Sequence, residues 1–325
     1  MGGAGRPIRM MIPPADRHRA PLMLRRELLS AGYTDKAIAR MLRRGDWVRV
    51  RNGAYTEAGA WVALDEAGRH WLRTLAVVAQ ARTSVVVSHT SGLPFFGAPV
   101  WGLDLSLVHI TRRDGRTGRK EAGVDQHRGA LVDGDVVRRS GVDVMNPTRL
   151  ALEITMVAGV EPSLVVVNDL LHRELTTPAA LAARYQGMGL WPWTLNTDIV
   201  LRLADPRIES PGESRTYFFC FRQGLPMPEP QYAIRDPSGR VIHRVDFAWP
   251  ELGVFMEFDG KVKYEKLLRP GERASDVVVR EKKREELICR LTGWRCIRLT
   301  WSDLERPDRT AAKIRALLYP TESAA

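Results

Sequence analysis

Arg244-Val-Asp-Phe-Ala-Trp-Pro-Glu-Leu-Gly-Val-Phe-Met-Glu-Phe-Asp-Gly-Lys261 is the stretch around which the C-terminal part of the chain is organised. Two runs of β-branched, aromatic and apolar residues, 241–249 and 254–258, flank Pro-Glu-Leu-Gly, and this pattern predicts a β-hairpin. If Trp249 pairs with Val254, counting back along both strands places Asp246 directly opposite Glu257.

This register would also place Arg244 opposite Asp259, and period-2 alternation puts Glu257, Asp259 and Lys261 on one face of the second strand. Like charges directly opposite one another destabilise a sheet, so the Asp246–Glu257 pair needs a bound cation or a nearby lysine. Hard oxygen ligands suit Mg²⁺ or Mn²⁺. The alternative is an ordinary hairpin with a solvated charged face and a slipped register.

The spacing of an aspartate and, about a dozen residues later, acid-x-acid-x-Lys resembles the core of the PD-(D/E)XK nuclease superfamily. More narrowly, Val245-Asp-Phe-Ala-Trp-Pro-Glu251 with Glu257-Phe-Asp-Gly-Lys-Val-Lys-Tyr264 is similar to the very-short-patch-repair-like endonuclease domain of actinobacterial proteins. The resemblance implies a metal-dependent DNA endonuclease that uses Mg²⁺ or Mn²⁺. The metal ligands that it implies are Asp246, Glu257 and Asp259, and the catalytic set that it implies is Glu213, Asp246, Glu257, Asp259 and Lys261.

The lysine position departs from the usual acid-x-Lys pattern of that family. Either Asp259-Gly-Lys261 is the motif, or Glu257-Phe-Asp259 is the motif with its lysine replaced. Glu213 also has two interpretations. Within Ser210-Pro-Gly-Glu-Ser214 it is a capping-box acid at a helix start, whereas the resemblance makes it the acid that the first helix contributes to the metal site.

The elements around the hairpin follow the order helix, three strands, helix, strand, which is the core order of the nuclease fold. A long amphipathic helix is predicted over 275–291 and a last strand over 294–301. Basic residues of that helix would contact phosphate, or would form a solvated face laced with glutamates. Those residues are Arg280, Lys283 and Arg284.

The N-terminal part predicts helix, helix and β-wing, the order of a winged helix-turn-helix. Thr34 is a candidate N-cap for the second helix, and Asn52-Gly53 predicts a tight hairpin turn. Leu42-Arg-Arg-Gly-Asp-Trp-Val-Arg-Val-Arg-Asn-Gly-Ala-Tyr55 resembles the N-terminal domain of AbiEi-like antitoxins of type IV toxin-antitoxin systems, which implies DNA-binding autorepression and, by resemblance only, a cognate toxin. The basic residues placed to contact DNA are Lys36, Arg40, Arg43, Arg44, Arg49 and Arg51.

The middle of the chain predicts an α/β scaffold, with strands at 84–88, 105–111 and 136–144. Ser88 and His89 stand side by side, but a triad partner is not identifiable from the sequence, and we favour a helix cap with a satisfied histidine. The seven histidines lack metal-ligand spacing, which argues against a zinc site.

The formal net charge of +11 and the pI near 9.9 favour a polyanionic partner, and nucleic acid more than a membrane surface. Three cysteines without Cys-x-x-Cys spacing indicate reduced thiols. With no apolar run of membrane-spanning length and no signal-peptide core at the start, the sequence predicts a cytoplasmic protein.

These patterns together predict an α+β multidomain chain. The expected domains are a flexible arm (1–20), a winged helix-turn-helix (21–60), a middle α/β domain (61–205) and a PD-(D/E)XK nuclease-like domain (206–325). The favoured function is a metal-dependent DNA endonuclease. The alternative is a non-catalytic DNA-binding regulator of the antitoxin type whose nuclease-like domain is degenerate.

Overall fold

The structure is a computed structural model that describes residues 20–116, 118–188, 194–236, 238–260 and 284–320. The chain forms two compact units, Met1–Pro162 with Leu175–Asp198, and Ser163–Glu174 with Ile199–Ala325. Helices and three sheets alternate along the described residues, so the predicted α+β multidomain fold class is confirmed. Within those ranges, every helix is too short or too polar to cross a membrane.

The first unit begins with a small three-stranded sheet, order β1-β3-β2, and two helices. Its elements are β1 (Met23–Leu24), α1 (Arg25–Ser30), α2 (Asp35–Arg43), β2 (Trp47–Arg51) and β3 (Ala54–Glu57).

The sequence explains most of this region locally. The Thr34 side chain accepts the Ala37 N–H at 3.2 Å and so caps α2, as predicted. Ile38 is buried beside Trp47, which fixes the inward face of that helix. Met23 and Leu24 are buried and pair with β3 as a short strand, so the first helix begins only at Arg25.

A second sheet of six strands, order β6-β7-β5-β4-β9-β8, forms the rest of the first unit's framework. Its strands are β4 (Val85–Val87), β5 (Val108–Arg112), β6 (Lys120–Glu121), β7 (Val124–His127), β8 (Val136–Arg139) and β9 (Val142–Met145). Strand β5 runs antiparallel to β4 and parallel to β7. The single strand expected over 136–144 is wrong, because Ser140 and Gly141 turn with positive φ and split it into the hairpin β8–β9.

The next helices precede, separate or follow these strands along the chain, and most of α7 and α9 belongs to the second unit. They are α3 (Ala58–Ala63), α4 (Glu66–Gln80), α5 (His89–Gly92), α6 (Pro147–Val157), α7 (Val160–His172), α8 (Pro178–Gln186) and α9 (Leu195–Leu203).

The second unit contains a four-stranded sheet with the order β10-β11-β12-β13. Its elements are α10 (Pro211–Arg222), β10 (Glu229–Arg235), β11 (Val241–Trp249), β12 (Val254–Asp259), α11 (284–292), β13 (Arg295–Thr300), α12 (Trp301–Leu304) and α13 (Pro307–Leu318). Strands β10, β11 and β12 are antiparallel in turn, whereas β13 runs parallel to β12.

Both faces of this sheet are covered. Val254, Met256 and Phe258 of β12 pack into a core cluster with residues of α10 and α13. Phe255, on the alternate face, packs with Ile288 of α11. The period-2 alternation predicted for β12 therefore separates two hydrophobic layers, and the polar residues Glu257 and Asp259 follow Phe255 along the α11 side.

Candidate functional site

The hairpin β11–β12 has the register that the sequence predicts. Trp249 pairs with Val254, and the ladder continues to Phe247 and Met256, so Asp246 and Glu257 occupy the next positions. There the Phe258 N–H donates to Asp246 Oδ2 at 2.8 Å. The Asp246 side chain thereby accepts from the β12 backbone, and this bond orients its carboxylate beside Glu257.

Both carboxylates of this pair are almost fully buried, with relative exposures of 9% for Asp246 and 8% for Glu257. A cation from α11 offsets their charge, because Arg284 Nη2 donates to Glu257 Oε1 at 2.8 Å. On the adjacent parallel strand, Arg298 is level with Glu257, and its Nη1 lies 4.0 Å from Asp259 Oδ2. Among the described residues, Arg284 therefore offsets part of the charge of the Asp246–Glu257 pair.

Two basic residues of the sequence prediction form ion pairs with glutamates. Arg244, expected opposite Asp259, donates to Glu209 at 2.6 Å. Arg284, expected to contact phosphate, lies against Glu257. Lys261, Arg280 and Lys283 lie outside the described residues.

Ser210 caps α10, whereas the Glu213 side chain bonds the backbone one residue before this N-cap and also reaches the sheet. Ser210 Oγ accepts the Glu213 N–H at 3.2 Å, while Glu213 Oε2 accepts the Glu209 N–H at 3.0 Å. The same oxygen accepts from Gln231 Nε2 at 2.9 Å. Gln231 falls in β10 between the positions paired with Phe247 and Val245, level with Asp246. We name Glu213, Asp246 and Glu257 the carboxylate cluster. They come from three consecutive elements of the second unit: α10, and the strands β11 and β12.

A close helix-to-strand approach sets the position of Glu213. A Cβ built on Gly212 would lie 2.1 Å from the Phe258 ring, so only glycine allows α10 to rest on β12 at this point. The backbone of Gln231 beside it has φ of 53°, a conformation that non-glycine residues rarely adopt. Gln231 was missed by sequence reasoning, since nothing in Gln-Tyr-Ala-Ile marks its conformation.

The basic residues of the predicted winged helix lie mostly in solvent, while Ile38, Met41 and Leu42 face the core of the small sheet. Arg44 makes an ion pair with Asp46 at 3.2 Å. Arg51 is half-buried, and burial lowers its pKa below the ordinary value for arginine. The exposed residues are Lys36, Arg40, Arg43, Arg44 and Arg49.

A second polar site, which the sequence did not predict, lies in the first unit. His89 at the start of α5, His109 in β5 and His127 at the end of β7 come together and are named here the histidine cluster. One ligand nitrogen from each ring lies within 4.8 Å of the others. His109 Nδ1 is 2.8 Å from His127 Nε2, and the His89 and His127 rings stack with centroids 3.7 Å apart.

Hydroxyl groups and a carboxylate surround His89. Its Nδ1 lies 3.0 Å from Ser88 Oγ, which also accepts from the Thr111 hydroxyl at 3.0 Å. Glu153 Oε2 accepts the His89 N–H at 2.9 Å. Ser88 is the N-cap residue of α5 and His89 is hydrogen-bonded, as favoured from the sequence, but the Ser88 hydroxyl bonds His89 and Thr111 and makes no cap hydrogen bond.

Glu153 belongs to a buried chain of ion pairs. Arg149, 1% exposed, donates from Nε to Glu153 Oε1 at 2.8 Å and from Nη1 to Asp135 Oδ2 at 3.1 Å. Arg184 holds the other oxygen of Asp135 at 2.9 Å. Burial raises the pKa of Glu153 even though Arg149 opposes the shift.

Burial keeps the three imidazoles neutral. It lowers the pKa of His109 to about 4, with His127 as a further cause, and lowers the pKa of His127 as well. The pKa of His89 falls well below its ordinary value, through burial first and then through repulsion from His127 and His109. Imidazoles in this state expose nitrogen lone pairs, the form in which histidine binds metals.

No protein-family model matches the chain. The chain is similar to uncharacterized proteins from two strains of Mycobacterium tuberculosis, H37Rv and CDC 1551, each 36% identical over 116 residues. The matched segment is 35% of this chain and 39% of each relative, so the chain covers well under half of their length. The relatives establish similarity over that segment and assign no activity.

Proposed function

We propose that this protein is a metal-dependent DNA endonuclease that hydrolyses phosphodiester bonds at the carboxylate cluster. The observation that carries the proposal is the hairpin register, which brings Asp246 and Glu257 together as buried acids at adjacent strands of a mixed sheet. That sheet is preceded by α10 and has α11 between its last two strands, the element order of the family that the hairpin resembles.

The donor set fits a hard divalent cation. Asp246 and Glu257 supply carboxylate oxygens, and the Phe258 carbonyl stands on the same strand as Glu257. Mg²⁺ and Mn²⁺ favour such oxygen ligands, and when bound they activate water and offset charge on phosphate. Asp246 and Glu257 would hold the ion, with Asp259 farther along the same strand face.

The surrounding residues would orient these acids. The Phe258 N–H fixes Asp246, and Gln231 fixes the Glu213 carboxylate. Arg284 holds Glu257 and brings a positive charge to the site, where it would face the phosphate of a bound strand. Lys261 would be the further cation of this proposal, on the segment that follows β12.

The exposed basic residues of α2 and β2 would supply DNA affinity. Arg40 and Arg43 lie on the solvent side of α2, opposite Ile38, and a winged helix contacts DNA through its second helix. Such contacts release counterions, so binding should weaken steeply as salt rises. DNA would be the partner, and the proposed site of action is the cytoplasm.

The test is cleavage of supercoiled, linear and mismatched DNA by the full chain with Mg²⁺ or Mn²⁺. We expect Asp246→Asn and Glu257→Gln each to lower the cleavage rate by at least about 100-fold, because each removes a charged metal ligand. Glu251→Gln is the matched control, since Glu251 is an exposed acid in the turn of the same hairpin. A chelator should abolish cleavage by the wild type.

The two acid variants must keep the wild-type circular dichroism spectrum for the rates to be compared. If every substrate stays intact, or if Asp246→Asn cleaves as fast as Glu251→Gln, the endonuclease proposal fails.

The second candidate is a non-catalytic DNA-binding regulator, favoured by the exposed basic face of α2 and β2. In that case Asp246→Asn leaves operator binding unchanged, while Arg40→Gln with Arg43→Gln weakens it. Removing two phosphate contacts should lower the slope of log affinity against log salt by about 2. Binding without cleavage on all substrates would make the regulator the better account.

A further inference from the structure

We propose that His89, His109 and His127 form a binding site for a transition-metal ion with the ligand preferences of Zn²⁺. The proposal is independent of the nuclease proposal, because the two sites use different residues and different donor atoms. It rests on the convergence of three imidazole nitrogens within 4.8 Å.

Ion binding requires the three rings to turn, because they lie close to parallel, with interplanar angles from 14° to 30°. Zn–N bonds of about 2.0–2.1 Å in a tetrahedral site place ligand nitrogens about 3.3 Å apart. His109 Nδ1 and His127 Nε2 are 2.8 Å apart and share one proton in a hydrogen bond, so this bond must break, and the rings must turn, for both lone pairs to face an ion. The rigid framework for this adjustment is the parallel pairing of β5 and β7, in which Thr111 is level with His127.

A metal-binding histidine usually bonds a carboxylate, a carbonyl or water through its other ring nitrogen, and His89 has such groups beside Nδ1. Its Nδ1 lies 3.0 Å from Ser88 Oγ and 3.6 Å from Glu153 Oε2, so Nε2 is on the opposite side of the ring. A carboxylate beside the second nitrogen fixes ring orientation and makes the ligand more basic. Glu153 is itself held by Arg149, so this carboxylate cannot swing into the site without breaking a buried ion pair.

The chemical class follows from the donors. Three neutral nitrogens suit Zn²⁺, Co²⁺ or Cu²⁺, whereas Mg²⁺ prefers oxygen. Three protein ligands leave a fourth position for water, and the partial exposure of His127 gives a path from solvent. His89 holds φ of 51°, so the first residue of α5 stands in a strained conformation at the cluster.

The experiment uses the full chain, stripped with chelator and titrated with Co²⁺ as the spectroscopic probe, followed by competition with Zn²⁺. We expect one equivalent of Co²⁺ with the intense visible absorption of four-coordinate cobalt, and its displacement by one equivalent of Zn²⁺. His109→Gln and His127→Gln should each lose this absorption.

Two control variants separate this site from others. His172→Gln removes an exposed histidine of α7 that bonds the Pro206 carbonyl, and should keep the full absorption. Asp246→Asn should also keep it, because Asp246 belongs to the carboxylate cluster. If the histidine variants do not fold, X-ray absorption of the zinc-loaded wild type decides, with three imidazole nitrogens at about 2.0 Å expected.

The inference is overturned if the stripped wild type takes up less than one tightly bound equivalent, or if cobalt absorption survives in His109→Gln and His127→Gln. Absorption lost in Asp246→Asn but kept in the histidine variants would assign the ion to the carboxylate cluster instead. An X-ray absorption spectrum of the zinc-loaded wild type that shows no imidazole nitrogens around the ion would likewise place the ion outside the histidine cluster.

Discussion

The carboxylate cluster and the histidine cluster are both buried polar sites, but different interactions offset the free-energy cost of burying them. The first places an arginine beside its acids, with Arg284 Nη2 at 2.8 Å from Glu257 Oε1. The second keeps its imidazoles neutral, and burial lowers the pKa of His109 to about 4. A buried charged group needs an ion pair, whereas a buried neutral imidazole needs only hydrogen bonds, such as those of His89 and His109.

The comparison extends to the arginines. Arg149, beside the histidine cluster, is 1% exposed at its side chain, and Arg284 is 29% exposed. Closely enclosed ion pairs lose far more when one partner is removed than pairs that water can reach. We therefore expect substitution of Arg149 to lower the free energy of unfolding more than substitution of Arg284.

The largest effect is expected for Arg149→Met. This change leaves Asp135 and Glu153 buried without their shared cation, which should lower the free energy of unfolding by about 3–5 kcal/mol. Denaturant unfolding measures it. Arg138→Gln, which breaks an exposed pair with Asp143, is the control and should cost less than about 1 kcal/mol. Equal losses in both variants would remove the distinction between enclosed and open pairs.

The neutral state of the histidine cluster predicts a pH dependence. The unfolded chain binds protons on histidine below about pH 6.5, whereas the folded chain does not until about pH 4, so stability falls as pH falls through this window. His109 alone should account for about 3 kcal/mol across the whole interval. Urea unfolding in chelator at several pH values measures it.

His109→Gln should flatten that dependence, whereas His172→Gln should leave it as in the wild type. A stability that rises toward pH 4, or a slope unchanged by His109→Gln, would contradict a neutral His109.

A smaller effect is expected where α10 meets β12. Gly212→Ala forces a methyl group against the Phe258 ring, which should cost about 1–3 kcal/mol and lower cleavage by displacing Glu213. Gly59→Ala in α3 meets nothing within 4 Å and should be neutral or stabilising. Thermal unfolding compares the two variants. A stable Gly212→Ala protein would show that the helix can move away without loss.

The smallest effect is expected for Arg284→Gln. Glu257 loses its ion pair with Arg284, but water reaches this pair and Arg298 lies nearby, so about 1 kcal/mol of the free energy of unfolding should be lost. Under the endonuclease proposal, Mg²⁺ should raise the melting temperature of this variant more than that of the wild type, because the ion replaces the missing charge. Equal shifts in both proteins would argue against a metal ion at Glu257.

The sequence predicts the carboxylate hairpin because the information is local. Alternation sets the faces of β12, and a four-residue connection sets the register from Trp249 and Val254. The Ser210 cap is equally local, since its partner Glu213 is three residues away.

The histidine cluster is different, because its members come from a helix start and from two strands paired in parallel across a connection. Nothing in the spacing of His89, His109 and His127 states that β5 and β7 are neighbours. His89 follows β4, which runs antiparallel to β5 and β7, so the cluster does not lie at a shared carboxyl end of parallel strands that the sequence could have indicated. The partner of Glu257 was missed for the same reason, since Arg284 arrives from a helix remote in sequence.

The mixed pairing of β12 has a consequence for folding kinetics. Its antiparallel contact with β11 closes through a short turn, on a timescale of about 1–10 μs, whereas its parallel contact joins Val254 to Arg295 across a long intervening segment. Parallel pairing of distant strands is slow, because the chain loses the entropy of loop closure before the new contacts can stabilise the pair. We therefore expect Asp246 and Glu257 to meet before α11 brings Arg284 to them, so that the early hairpin holds two acids without this cation.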